Sequence, residues 1–377
     1  MYYTPPHITI IEDNSNFFLK DELKSKIYEI NELISGMIVF FKSPNLLDYY
    51  IENLSFKLKE ENLKVAEIVT PFFNKMVVLG FIVESNKYKN EVLAEQIVPD
   101  FCIDKKYIVS KILRNKNNTE YVLVADEIQD RLIKKLLKII LKDDNKYNKK
   151  RKNLNSEFNI NKKLAEENYN ISKPIFFVDG IDYCYSVSEY YENSQTLQEF
   201  IKSNLGNIDF SLKVKVLSKI IETFSYIHSS NILHGDIHYG NILITDDYSI
   251  KVIDFEFSND LYLPEKKIKK GGMQYFIPPE RLGNNSFNKI LEISTIYGEI
   301  YQVGLLIYYI FFEKLPFNPE KWSDLRSSIR LGVEIPTENP IIHDFLSKCL
   351  ALKPENRFPS LEEMLLDWEK VIPFAKL

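Results

Sequence analysis

Asp236, Asn241 and Asp254 stand where acids and amides are costly. The first two lie in Ile-Leu-His-Gly-Asp-Ile-His-Tyr-Gly-Asn-Ile-Leu-Ile, which begins at Ile232, and the third in Ile-Lys-Val-Ile-Asp-Phe-Glu-Phe, which ends at Phe257. Polar groups set in β-branched runs are retained when they share a task. Asp236 and Asn241 are five residues apart in a loop, and a tight hairpin over 245–249 is expected to return Asp254 to the side of Asn241. One carboxylate placed to orient a hydroxyl and take its proton, beside an amide and an acid able to hold a hard cation, is the equipment of phosphoryl transfer. That reaction asks mainly for positioning and charge neutralisation.

His234-Gly235-Asp236, then Asn241, then Asp254-Phe255-Glu256 resembles the catalytic loop and metal-binding motif of the protein kinase superfamily. The resemblance covers residues 101–372. It implies an α+β, two-lobed kinase-like fold, with an N-lobe of antiparallel sheet plus helix at about 101–191 and a mainly helical C-lobe at about 192–377. Residues 1–100 would form an additional N-terminal α/β domain. ATP and Mg²⁺ are the implied cofactors, with Asp236 as catalytic base and Asn241 and Asp254 on the metal. His238 occupies the place where Ser/Thr kinases carry a lysine contacting the γ-phosphate, and is expected to be catalytic. His234 is expected to pack behind the loop. Gly235 replaces the arginine that reads a phosphate on the activation loop, so that switch is expected to be missing.

The flanking elements follow from periodicity and from the same resemblance. Leu217, Ile220, Ile221, Phe224 and Ile227 mark one face of a helix leading into the loop. Residues 107–113 and 120–125 read as paired strands, and 131–140 as a third. In the family the first of these turns is glycine-rich and covers the ATP phosphates, but Asn115-Lys116-Asn117-Asn118-Thr119 has no glycine. Asparagine tolerates positive φ better than other non-glycine residues, so Asn117 and Asn118 are expected to make the turn, with Lys116 facing phosphate. The third strand is expected to supply the phosphate-pairing lysine. Lys134 in Leu132-Ile133-Lys134 fits best, with Lys135 as the alternative. The basic, Asn-rich run 142–152 reads as a solvated loop, after which Glu157 opens a helix and is the candidate partner of that lysine. Glu189-Tyr190-Tyr191-Glu192 resembles the hinge, so Glu189 and Tyr191 are placed at the adenine.

Gly272-Met273-Gln274-Tyr275-Phe276-Ile277-Pro278-Pro279-Glu280 resembles the platform on which protein kinases seat a peptide, and Glu280 is expected to pair with Arg357 in the interior. Glu299 and Gly304 repeat the family's acid-to-glycine spacing on a central helix, and Ser360 with Glu363 reads as a capping box. In the N-terminal region 37–41, 65–69 and 76–83 read as strands, and Leu47, Tyr50, Ile51, Leu54 and Leu58 as one face of a helix. Gly36 with Lys42-Ser43 echoes a P-loop but lacks its glycine-rich backbone.

With 45% hydrophobic and 27% charged residues and a net charge of -5, the chain has the balance of a globular protein and no general affinity for nucleic acid. Cys102, Cys184 and Cys349 are too scattered for a metal site or disulfide framework. Without a signal-like or membrane-spanning run, a cytoplasmic location and no membrane partner are expected. The leading reading is a Ser/Thr kinase acting on a protein or peptide, with any partner expected to be selected by the N-terminal domain. His238 and Gly235 resemble small-molecule phosphotransferases and the kinase domains of lanthipeptide synthetases. Glu256 and the glycine-free turn are what a non-catalytic scaffold would show.

Overall fold

In the computed structural model, which describes residues 2–4, 8–13, 16–21, 26–42, 46–79, 81–84, 97, 102–104, 106–127, 133–142, 146–180, 183–261, 273–282, 294–317 and 321–373, the chain divides into two units. One comprises residues 1–148 and 178–190, the other 149–177 and 191–377.

The first unit begins with an antiparallel meander of β1 (Ile8–Asp13), β2 (Asn16–Asp21) and β3 (Lys26–Ile30). Three helices follow, α1 (Glu32–Phe40), α2 (Leu47–Leu58) and α3 (Asn62–Val78). The expected strand at 65–69 is therefore helical, that at 37–41 is helical up to its cap at Phe41, and of the third, 76–83, only Val83 is in a strand, Val83–Glu84. Met37 with Phe41, and Val65, Val69, Phe73 and Met76, recur at helical spacing and enter one apolar cluster with Ile8 and Leu19. Apolar runs this short do not display their period. Gly36 lies inside α1, which rules out a phosphate loop there.

The same unit holds a larger antiparallel sheet of β4 (Cys102–Ile103), β5 (Tyr107–Lys116), β6 (Glu120–Glu127), β7 (Lys134–Leu141) and β8 (Tyr183–Glu189). These strands run in the order β8, β7, β6, β5, β4. Asn117 and Asn118 take φ of 54° and 55°, the paired positive values of a tight hairpin turn. The turn consumes its own donors, because Thr119 N–H reaches Lys116 O and Asn118 N–H reaches Asn115 Oδ1. Two N–H groups that a glycine-rich loop would direct at phosphate are thus spent within the turn.

In the second unit, α4 (Tyr147–Ala165) starts ten residues before Glu157 and takes in most of the run expected to be a solvated loop. That run contains no glycine or proline, and beyond it Leu154, Glu157, Ile160, Asn161 and Leu164 form the buried face of α4. Then come α5 (Leu197–Ser203), α6 (Phe210–Ser229), the hairpin of β9 (Ile242–Ile244) and β10 (Ile250–Val252), and α7 (Ile296–Phe312). The chain closes with α8 (Trp322–Leu331), α9 (Pro340–Cys349) and α10 (Leu361–Trp368). On α7 every residue from 298 to 310 is buried, so the helix is the post around which this unit packs. Gly304 is needed there because a Cβ would lie 2.7 Å from that of Cys349 on α9. The five residues expected to face inward on α6 are all buried. Ser360 accepts the Glu363 N–H, while the fully reciprocal capping box is at Thr196 and Glu199. Cys184 and Cys349 are buried and not in a disulfide. No helix among the described residues is long and apolar enough to cross a membrane.

Candidate active site

Register in the hairpin assembles the polar residues. Ile242 pairs with Val252, and the next residues out are joined by a bond from Ile253 N–H to Asn241 O at 3.0 Å. Asp254 is one residue further on, at φ 65°, so the hairpin returns it to the Asn241 end of the loop as expected. Asn241 Nδ2 donates to the Asp236 carbonyl at 2.9 Å, which leaves the amide oxygen as its group for a cation. An amide oxygen and a carboxylate suit Mg²⁺, which takes one or two protein ligands and completes its shell with phosphate and water. No cluster of three or more metal-ligating side chains of His, Cys, Asp or Glu occurs among the described residues. Glu256, in the short helical turn Phe255–Phe257, does not have a positive φ, so this position places no demand for the glycine of the family motif.

Asp236 is buried and its carboxylate is approached from two sides. Met273 N–H donates to Oδ1 at 3.2 Å, and His238 Nε2 lies 3.5 Å from Oδ2. His234 is fully enclosed behind the loop, with Nδ1 accepting from Asp236 N–H and Nε2 facing the Ile253 carbonyl at 3.1 Å. It is a structural histidine, as its sequence context implies. Gly235 has φ 83°, and a Cβ there would stand 2.2 Å from the Phe257 carbonyl oxygen. An arginine at this position is sterically incompatible with the loop.

Sequence reasoning placed Glu299 on the central helix by spacing but missed its contact with the loop. Gly235 N–H donates to Glu299 Oε1 at 2.6 Å, and the other oxygen of Glu299 is 2.7 Å from His228 Nε2. Burial alone pushes the Glu299 carboxyl up, but the hydrogen bond and charge of His228, the charge of His234 and the Gly235 N–H outweigh it, holding the group below the usual carboxylate range. Arg281 is also buried. Burial pushes it down, against the charges of Asp236, Glu299 and Glu280. A basic residue directly after the platform's Glu280 was the visible signal.

These shifts fix a pH dependence. Burial holds His234 below its ordinary 6.5, and Glu299 lies below its ordinary 4.5. Both groups bind protons more readily in the unfolded chain, so their contribution is complete above those ordinary values and is lost as pH falls through the depressed ones. The unfolding midpoint of the second unit should therefore fall as pH is lowered from about 6.5 toward 4. A midpoint that rises over this range in denaturant titrations would contradict the assignment.

The remaining expected site residues stand as follows. Glu157 is on the buried face of α4. Lys134 opens β7 opposite Asp126, and Lys135 pairs with Ala125 and Glu189. Lys138, absent from the sequence reading, sits in mid-sheet with Val122 on one side and Ser186 on the other. Its signal was Leu136-Leu137-Lys138, a second copy of the apolar-apolar-lysine pattern. Glu189 ends β8, and the Tyr191 hydroxyl accepts Lys173 N–H at 3.1 Å while its ring lies 5.1 Å from Lys251 Nζ. Glu280 meets Arg357 as expected, in a two-pronged pair at 2.9 and 2.8 Å. Residues 262–272, most of the segment between the metal motif and the platform, lie outside the described residues.

Comparison with known proteins agrees with this geometry. The chain is 25% identical over 294 residues to a probable serine/threonine-protein kinase of Dictyostelium discoideum, covering 76% of this chain and 20% of that one. It is 26% identical over 272 residues to a putative serine/threonine-protein kinase of Acanthamoeba polyphaga mimivirus, covering 70% and 93%. A probable cell cycle serine/threonine-protein kinase of Encephalitozoon cuniculi is 25% identical over 274 residues, covering 71% and 55%. The chain thus spans about a fifth of the first relative, nearly all of the second and about half of the third. The protein kinase domain matches residues 123–368. Because this single match takes in the Asp236 loop, the Asn241–Asp254 hairpin and the Glu280–Arg357 pair, the chain belongs to the protein kinase family.

Proposed function

We propose that this chain transfers the γ-phosphate of ATP to serine or threonine hydroxyls of a protein or peptide. Asp236 orients the acceptor hydroxyl and receives its proton. Asn241 and Asp254 hold Mg²⁺, which supplies charge neutralisation at the phosphate oxygens. The observation that carries the protein-substrate reading is the anchoring of the platform, whose Glu280 is bound through both carboxylate oxygens by Arg357. A phosphotransferase acting on a small alcohol or a dedicated peptide is the second reading, favoured by His238 and Gly235. Incubation with labelled ATP, Mg²⁺ and either casein or a panel of small alcohols separates the two. Label on the alcohols alone would overturn the first reading, and Asp236-independent label or none would overturn both.

For the phosphate lysine, strand geometry favours Lys138 over Lys134. Lys138 lies in mid-sheet, flanked by Val122 and Ser186, whereas Lys134 begins its strand opposite Asp126. Lys138→Met should reduce transfer by about 10²-fold or more, with Lys134→Met within a few-fold of wild type. The reverse ranking would return the role to Lys134. Glu157 remains the proposed partner, with Glu189 and Tyr191 at the adenine edge. A cytoplasmic location and partner selection through residues 1–100 belong to the same reading; a chain lacking residues 1–95 that still phosphorylates its natural partner would remove the latter.

A further inference from the structure

His238 does not extend into solvent as a surface histidine would. Its Nδ1 accepts the Gly240 N–H at 3.0 Å, which fixes the neutral ring's proton on Nε2, and Nε2 is the atom 3.5 Å from Asp236 Oδ2. Only 13% of the side chain is exposed, so the ring has little room to turn elsewhere. Gly240 matters for a different reason from Gly235. Its φ is not positive, yet a Cβ would lie 2.8 Å from His238 Cε1 and 3.0 Å from Nδ1, so any side chain at 240 must displace the ring.

We propose that His238 and Gly240 act together as a positioning device for Asp236: the Gly240 N–H sets the ring so that its Nε2–H faces Oδ2, and the carboxylate, held at Oδ1 by Met273 N–H, is thereby aimed for the acceptor hydroxyl. This rests on the kinase reading for its catalytic consequence, though not for the pairing itself. A lysine at 238 cannot perform the task, because an ammonium has no acceptor for the Gly240 N–H. Separations such as the 3.5 Å here commonly tighten once reactants are seated. Through this device His238 influences the hydroxyl by way of Asp236 and is a positioning residue.

The test uses the full chain and four variants, Gly240→Ala, His238→Ala, His238→Asn and the Gly240→Ala/His238→Ala double. NMR of isotope-labelled histidine reads the tautomer directly; the chain has five histidines, and His238→Asn identifies the signal. Wild type should show Nε2–H with an accepting Nδ1, and Gly240→Ala should lose that signature. With casein as acceptor, Gly240→Ala should lower kcat by about tenfold or more with the KM for ATP within about twofold. His238→Asn keeps an acceptor for Gly240 N–H but falls short of Asp236, so its melting temperature should hold while kcat falls as in His238→Ala. The double variant should be no slower than His238→Ala, since both changes break one device. A proton found on Nδ1, wild-type kcat in Gly240→Ala, restored kcat in His238→Asn, or multiplying effects in the double variant would each overturn the proposal. If wild type transfers no phosphate, the kinase reading fails, while the tautomer and its loss in Gly240→Ala still decide the pairing.

Discussion

Asp236→Asn should lower phosphate transfer by about 10² to 10⁴-fold, the usual contribution of a placed general base. The loss should appear in kcat, with the KM for ATP nearly unchanged, because Asp236 is assigned to the hydroxyl and not to the nucleotide. The two donors around the side chain sharpen the expectation. Met273 N–H and His238 Nε2–H approach different oxygens of one carboxylate. An amide has one oxygen, so the variant can satisfy either donor but must turn its own N–H₂ toward the other. It therefore loses aim as well as basicity, and should be slower than the proton-transfer effect alone would make it. Single-turnover transfer from labelled ATP provides the measurement. A variant retaining a tenth of wild-type kcat would remove Asp236 from its role.

The contrast between what the sequence displayed and what it concealed is physical. The Asp236 loop and its hairpin were legible because polar residues at fixed offsets within β-branched runs have few alternative explanations, and two short antiparallel strands leave one way to bring Asn241 and Asp254 together. The Asn117–Asn118 turn was legible for a similar reason, since positive φ restricts the residue choice. Residues 37–41 misled because Met-Ile-Val-Phe-Phe satisfies a buried strand and a buried helix equally, and only its packing against the meander decides. The start of α4 was concealed by lysine and asparagine, which suit a helix's solvent face as well as a loop. Lys138 needed register: the three lysines of one strand are equivalent until the neighbouring strands show that Lys134 begins it while Lys135 and Lys138 are flanked on both sides. His238 and Gly240 could be named from sequence, but their coupling is a matter of a ring's orientation.

The largest expected effect on stability lies at Arg357, whose side chain is fully buried. All of its N–H donors are used: Nε to Ala351 O at 2.8 Å, Nη1 to Glu280 Oε1 and Tyr297 O at 2.9 Å, and Nη2 to Glu280 Oε2 at 2.8 Å and Leu352 O at 3.3 Å. The guanidinium carbon also lies 4.8 Å from the centre of the Tyr301 ring on α7. Arg357→Ala should cost about 3 to 5 kcal/mol, the usual penalty for breaking a buried pair. Arg357→Met removes one partner and strands the Glu280 carboxylate, so it separates lost packing volume from lost polar contacts. Methionine restores volume but offers no donor to the carbonyls of Ala351, Leu352 and Tyr297, and it should remain almost as destabilised as alanine. Arg357→Lys keeps the charge but cannot reproduce the fork, and should recover only part of the loss. Denaturant unfolding of the three variants gives the ranking. Wild-type stability in Arg357→Met would show that side-chain volume alone was at stake, and that neither Glu280 nor the three carbonyls depend on the guanidinium.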